Sequence, residues 1–379
     1  WGAAPPPRHL GLAALIVIPK TTPATKVEAV TELGAAVVLS GDNYTEAKRH
    51  CDELAASTGR TFVHPFDDEL VIAGQGTVGH EILRHKLGSV DAIFVPVGGG
   101  GLIAGIASYV KALRPEVEVI GVEPFEADAM YQSLAVGRRV VLDRVGIFAD
   151  GVAVQEVGRL TFPIVQSTVR EVVRVSNDEI CAAIKDIFDD TRSVMEPAGA
   201  LAVAGLRAWV ERTGTRNARL AAILSGANMN FDRLRFVAER AELGEAREAL
   251  FGVTIPERPG AFREFCATIG RPVVTQVNYR LNWRDRAHIF GGIATRSRQD
   301  AAELAGLLNA SGHQTVNLTD NELAKLHVRH MVGGRCDEVE NERVYRFEFP
   351  ERPGALMDFL EKLGGRWNIS LFHYRNHGA

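Results

Sequence analysis

An apolar run, Ala92–Val97, ends on four consecutive glycines, Gly98 to Gly101, and a helix-forming segment, Leu102–Leu113, follows at once. A strand feeding a helix through glycine is the arrangement this junction fits. Glycine lets the backbone turn sharply and lets a ligand approach closely. A helix start adds free N–H groups and the positive end of the helix dipole. Together they make an anion cradle that needs no basic side chain. Four glycines exceed what a tight turn requires, so we read Gly98, Gly99, Gly100, Gly101 and Leu102 as phosphate-binding.

The chain on either side keeps the same alternation. Apolar runs at Ala14–Ile18, Ala36–Leu39, Val117–Val122 and Leu220–Leu224 read as buried strands. Helical segments at Ala24–Leu33, Tyr44–Ser57, Ile72–Lys86 and Asp178–Phe188 lie among them. Such alternation predicts an α/β domain with a parallel sheet covered on both faces. Ser176 and Glu179 form a capping-box signal, and Asp42-Asn43 precede a helix from Tyr44. Ala73-Gly74-Gln75-Gly76-Thr77 reads as a glycine-flanked helix start used for packing.

Composition narrows the function classes. Hydrophobic residues at 46% and charged residues at 24% give the balance of a soluble globular protein. A net charge of −4 supplies no basic face for nucleic acid. Cys51, Cys181, Cys266 and Cys336 are scattered, which indicates neither a metal site nor a disulfide framework and fits a reducing, cytoplasmic setting. No apolar run reaches the roughly 18 residues of a membrane span. Leu10–Ile18 reads as a buried strand and not as a signal-peptide core.

From Phe231 to Leu250 the chain turns charged and helical, and we place a domain boundary there. Beyond it lies a repeat. Phe251 to Phe262, with Pro256-Glu257-Arg258-Pro259-Gly260, is echoed by Phe347 to Leu356, with Pro350-Glu351-Arg352-Pro353-Gly354. Asn278-Tyr279-Arg280 is echoed by His373-Tyr374-Arg375. Each copy reads strand, turn, helix, strand.

The residues alone leave two cofactors in contention. Gly99-x-Gly101-x-x-Ala104, with Glu123 at the end of the next strand, satisfies a permissive dinucleotide fingerprint and points to an NAD-dependent dehydrogenase. Ser225-Gly226-Ala227-Asn228 follows a strand end, where a hydroxyl points into the ligand crevice of such sheets. A neutral Ser225 suits a pyridine nitrogen left unprotonated. Glu196-Pro197-Ala198-Gly199-Ala200 either sets Glu196 beside a ring or merely opens an apolar helix.

Val95 to Leu102, Ala73 to Thr77, Ala149-Asp150-Gly151-Val152-Ala153-Val154, Glu196 to Ala200, Leu224 to Asn228 and the duplicated Pro-Glu-Arg-Pro-Gly module occur in one order. In this the chain resembles the biosynthetic threonine dehydratases, from about Leu10 onward. The resemblance implies a pyridoxal 5'-phosphate-dependent catalytic domain of the tryptophan-synthase-β type (fold type II), over residues 1–240. It implies an α+β ACT-like regulatory domain with two repeats, over 241–330 and, incompletely, 331–379. The implied reaction is deamination of L-threonine to 2-oxobutanoate and ammonia, the first step of isoleucine biosynthesis. Gly98 to Leu102, Glu196 and Ser225 would hold the cofactor. Tyr279, Arg280, Tyr374 and Arg375 would line effector sites where isoleucine inhibits and valine relieves. A cytoplasmic homotetramer without metal is the expected assembly.

The family's Schiff-base lysine sits in a Ser-Phe-Lys-x-Arg-Gly-Ala stretch, and an asparagine in Gly-Asn-His-Ala-Gln-Gly holds the ring oxygen. Neither stretch occurs here. The eight lysines, Lys20, Lys26, Lys48, Lys86, Lys111, Lys185, Lys325 and Lys362, match no such motif. The chain opens without Met on the Ala- and Pro-rich Trp1 to Pro7, and the second repeat stops soon after its second strand. We read both ends as cut, and expect this polypeptide to have little or no dehydratase activity. A non-catalytic amino-acid-binding remnant is the third reading.

Overall fold

The computed structural model describes residues 12–20, 22, 24–42, 44–85, 89–229, 231–256, 261–269, 274–281, 286–326, 328, 343, 345–347, 359 and 362. Two compact units divide between Val237 and Ala238. Among the described residues no helix is long and apolar enough to cross a membrane.

The first unit holds two parallel sheets where the sequence suggested one. Among the described residues, strands β1 (Leu15–Ile18) and β2 (Ala36–Leu39) pair only with each other, with α1 (Ala24–Glu32) between them in the chain. Their small core is Val30 and Ala35. Helices α2 (Tyr44–Thr58) and α3 (Glu69–Arg84) follow. Asn43, one of the two expected cap residues of α2, lies outside the described residues.

The larger sheet has the order β5-β4-β3-β6, from Glu171–Val175, Glu118–Pro124, Ala92–Pro96 and Leu220–Ala222. All its pairs are parallel. Strand β3 is central and buried throughout, which is why it reads as an unbroken apolar run. Its side chains alternate between faces. Ile93 and Val95 pack, with Val97, on Ile103, Ile106 and Val110 of α4 (Gly101–Leu113). Phe94 points the other way, edge-on to Trp209 of α8 (Pro197–Thr213), with ring centroids 5.6 Å apart. Each such fully buried side chain contributes roughly 1.5–3 kcal/mol.

The Ala73–Thr77 stretch lies inside α3, not at its start. A Cβ on Gly76 would stand 3.2 Å from the Gly105 carbonyl, and one on Gly105 would stand 2.7 Å from the Gly76 nitrogen. These glycines let α3 and α4 approach backbone to backbone, the packing role expected for them. Helices α5 (Ala129–Val136), α6 (Thr161–Thr168) and α7 (Asn177–Thr191) complete the first unit, with α7 opening on the Ser176–Glu179 capping box.

Helix α9 (Phe231–Gly244) precedes β7 (Glu248–Pro256), α10 (Ala261–Ile269), β8 (Val274–Leu281), β9 (Arg286–Ala294), α11 (Arg298–Ala310), β10 (Gln314–Asn317) and α12 (Glu322–Leu326). The strands order as β10-β7-β9-β8, antiparallel throughout. This is a βαββαβ, ferredoxin-like sheet. Phe251, Val253 and Ile255 of β7 face Phe265 of α10 and Leu308 of α11, whereas Leu250 joins Leu243 and Ala324 on the opposite face. One repeat copy is therefore the whole six-element unit, and not strand, helix and strand alone. Most of the second copy lies outside the described residues.

Candidate cofactor site

Strand β3 delivers the chain to Gly98, and α4 begins three residues later with Gly100 as its N-cap, at φ +95°. Among the described residues, the N–H groups of Gly99, Gly100, Gly101 and Leu102 meet no backbone or side-chain acceptor. Gly99, Gly100 and Gly101 are buried. Buried donors left without partners are costly. Three such donors, with that of the half-buried Leu102 beside them, are grouped at a helix start, an arrangement suited to an anion.

The glycines themselves answer to neighbours in the fold. A Cβ on Gly99 would overlap the Phe66 ring, and one on Gly101 would lie 2.9 Å from the Phe66 Cβ. At Gly100 a Cβ would stand 2.8 Å from Met130 Cε and from Thr161 Oγ1, besides the left-handed backbone. Gly98 faces Val152, with 3.0 Å to its Cα. Packing thus accounts for all four glycines, contrary to the expectation that a turn leaves some unexplained. The anion site rests instead on the free N–H groups.

The second loop leaves β6, the neighbour of β3, at the same carboxyl end of the sheet. Ser225 is exposed there, and its Oγ donates to the Ala198 carbonyl at 3.4 Å. Glu196 is the N-cap of α8, with Pro197 opening the helix, and its N–H donates to the Gly226 carbonyl at 3.2 Å. A Cβ on Gly226 would overlap the Glu196 carboxylate. Gly151 lies beside Ala198 and Val152 beside Gly98, so residues 149–154 bridge the two loops. Asn228 Nδ2 is buried without a hydrogen-bond partner among the described residues. The arrangement can hold a phosphate at one end and offer a hydroxyl and an amide to a planar ring at the other.

The acid of the dinucleotide fingerprint does not belong to this site. Glu123 is fully buried, and its two oxygens accept from Met130 N at 2.9 Å and Tyr131 N at 2.8 Å. Burial pushes its pKa up to about 8 in spite of these donors. Its carboxyl anchors α5 and is closed to a ribose, which removes the support for a nicotinamide dehydrogenase.

Four of the eight lysines have partners away from this site. Lys48 pairs with Asp52 at 2.7 Å, Lys185 with Asp189 at 3.0 Å and Lys325 with Glu322 at 3.0 Å, while Lys111 donates to the Pro115 carbonyl. Tyr279 and Arg280 lie on β8 opposite Ile289 and His288 of β9, in the second unit. Tyr374 and Arg375 lie outside the described residues.

Sequence reasoning passed over His64-Pro65-Phe66-Asp67-Asp68 and Thr161. His64 Nδ1 accepts from Asp67 N at 2.9 Å, and burial lowers the pKa of the ring. Asp68 caps α3 through Leu70 N and Val71 N, as an acid before a helix suggests. Asp67 and Thr161 have partners distant in the chain, and no local pattern marks them.

Comparison with known proteins gives the family. A family model described as pyridoxal-phosphate dependent enzyme matches residues 7–226. One described as C-terminal regulatory domain of threonine dehydratase matches 239–328 and 333–379. The chain is 55% identical over 374 residues to L-threonine dehydratase biosynthetic IlvA of Burkholderia multivorans, covering 98% of this chain and 74% of the relative. It is 50% identical to the Escherichia coli protein of the same name, covering 98% and 72%. Among solved structures, the processed form of threonine deaminase isoform 2 from Solanum lycopersicum superposes with a TM-score of 0.62 at 48% identity, over 64% of this chain and 66% of that one. With two family models matching in series and half the residues identical to these relatives, the chain belongs to the biosynthetic threonine dehydratases, pyridoxal-phosphate enzymes of the fold type II class followed by a regulatory domain.

Proposed function

We propose that Gly98 to Leu102 hold the phosphate of pyridoxal phosphate through their N–H groups, with Ser225 Oγ at the ring nitrogen and Glu196 beside the ring. The observation that carries this reading is the set of N–H groups at the buried Gly99, Gly100 and Gly101 and the half-buried Leu102 that meet no acceptor among the described residues, one strand away from the Ser225 loop. The unpaired Asn228 amide adds a donor next to that loop. When bound, the cofactor supplies an electron sink for loss of the α-proton. Ser225, a neutral donor, leaves the ring nitrogen unprotonated, which favours elimination over transamination.

The family reaction proposed for the complete enzyme is deamination of L-threonine to 2-oxobutanoate and ammonia, with isoleucine as inhibitor and valine relieving it at Tyr279-Arg280 and Tyr374-Arg375. Residues 1–240 form the catalytic domain on this reading, with 241–330 and 331–379 as the two regulatory subdomains. Cytoplasmic homotetramers are the proposed assembly. Calorimetric titration of this polypeptide with pyridoxal phosphate tests the binding. Saturable binding reversed by dialysis is the expected result, and the absence of binding contradicts the reading.

A further inference from the structure

A peptide plane fixes two groups at once. In a trans peptide the carbonyl of one residue and the N–H of the next point in opposite directions. Gly99 and Gly100 share such a plane, and the chain has no cis peptide bond among its described residues. The Gly99 carbonyl is held on the side away from the cradle by two donors, Thr161 Oγ1 at 2.7 Å and Gly158 N at 3.0 Å. The Gly100 N–H is thereby aimed into the cradle. Between two glycines, with Gly100 at φ +95°, the opposite orientation of this plane meets little steric resistance. That orientation would present a carbonyl oxygen to the anion.

Thr161 is fully buried and opens α6, whose N-cap residue, Leu160, supplies no side-chain cap. The cap comes from far away in the chain. Asp67 accepts from Arg159 N at 2.9 Å through one carboxylate oxygen and from Leu160 N at 2.8 Å through the other. Its oxygen sits so close to Gly158 that a Cβ there would overlap it. The neighbouring Phe66 packs on Gly99 and Gly101 from the same segment.

From this geometry we propose that Asp67 is a positioning residue for the cofactor phosphate. It fixes the 158–161 turn, the turn fixes the Gly99 carbonyl through Thr161 and Gly158, and the carbonyl fixes the direction of the Gly100 N–H. The inference rests on the cradle holding phosphate, as proposed above.

The test compares two ligands that differ only in the phosphate. The 379-residue chain and its Asp67→Asn, Thr161→Val and Thr161→Ser variants are titrated at equilibrium with pyridoxal phosphate and with pyridoxal. Thermal melts run alongside to confirm that each variant is folded. Loss of one oriented N–H is expected to weaken pyridoxal phosphate about tenfold in Asp67→Asn and in Thr161→Val. Pyridoxal binding stays unchanged, and Thr161→Ser retains the parent affinity. Equal weakening of both ligands, or of neither, in the folded variants overturns the proposal. Should Asp67→Asn fail to fold, the Thr161 pair decides alone. If the parent chain binds pyridoxal phosphate no better than pyridoxal, the cradle reading itself fails and this inference falls with it. If the parent discriminates and the variants do so equally, only this inference fails.

Discussion

Gly199 and Gly226 approach so closely that a Cβ on Gly199 would overlap the Gly226 carbonyl. One lies in the first turn of α8, the other belongs to the loop after β6, and Ser225 stands beside the contact. Gly199→Ala is expected to cost roughly 1–3 kcal/mol through overpacking. It should also push the Ser225 loop outward. Chemical denaturation reads the first effect and pyridoxal phosphate affinity the second. Parent-like values for both would mean that the contact relaxes freely.

On the proposed reading, Ser225 meets the ring of the ligand and the cradle meets its phosphate. Ser225→Ala removes one hydrogen bond to the ring, worth roughly 0.5–1.5 kcal/mol. Pyridoxal phosphate and pyridoxal should weaken by the same factor, in contrast to the phosphate-selective loss expected at Asp67 and Thr161. A selective loss in Ser225→Ala would move Ser225 away from the ring nitrogen.

Glu123 makes stability depend on pH. Its folded pKa of about 8 lies above the ordinary value of 4.5, so the folded protein keeps a proton that the unfolded chain releases. The stability Glu123 contributes is full below about pH 4.5 and is lost as pH rises toward about 8. Urea denaturation at pH 5 and pH 8 should show a smaller decline for Glu123→Gln than for the parent. The same decline in both proteins would mean that Glu123 is already ionised when folded.

Much of the frame was legible because local rules suffice for it. An unbroken apolar run before glycine located β3, and Ser176 with Glu179 located the start of α7. Strand β5 was passed over because Glu171 and Arg174 break its short run, although Val172, Val173 and Val175 are buried. Alternation of strand and helix does not say which strands pair, so the separate β1-β2 sheet was not foreseen. Glycines in Ala73–Thr77 suggested a helix start, yet they serve close helix approach within α3. The positions of Gly98 to Leu102, Glu196 and Ser225 beside element boundaries are what made them candidates in the sequence. The hydrogen bonds from Arg159 and Leu160 to Asp67 are tertiary contacts with no sequence period, and only coordinates reveal them.

The regulatory unit carries its own expectation. Calorimetry of the 379-residue chain with isoleucine should give saturable heat at concentrations on the order of millimolar. Arg280→Ala should abolish or weaken it. No heat from the parent would count against effector binding at the first repeat.

A crystal structure of this polypeptide soaked with pyridoxal phosphate tests the central claim most directly. The phosphate is expected within hydrogen-bond distance of the N–H groups of Gly99 to Leu102, with the ring nitrogen facing Ser225 Oγ. A phosphate bound elsewhere, or a ring turned away from Ser225, would contradict it.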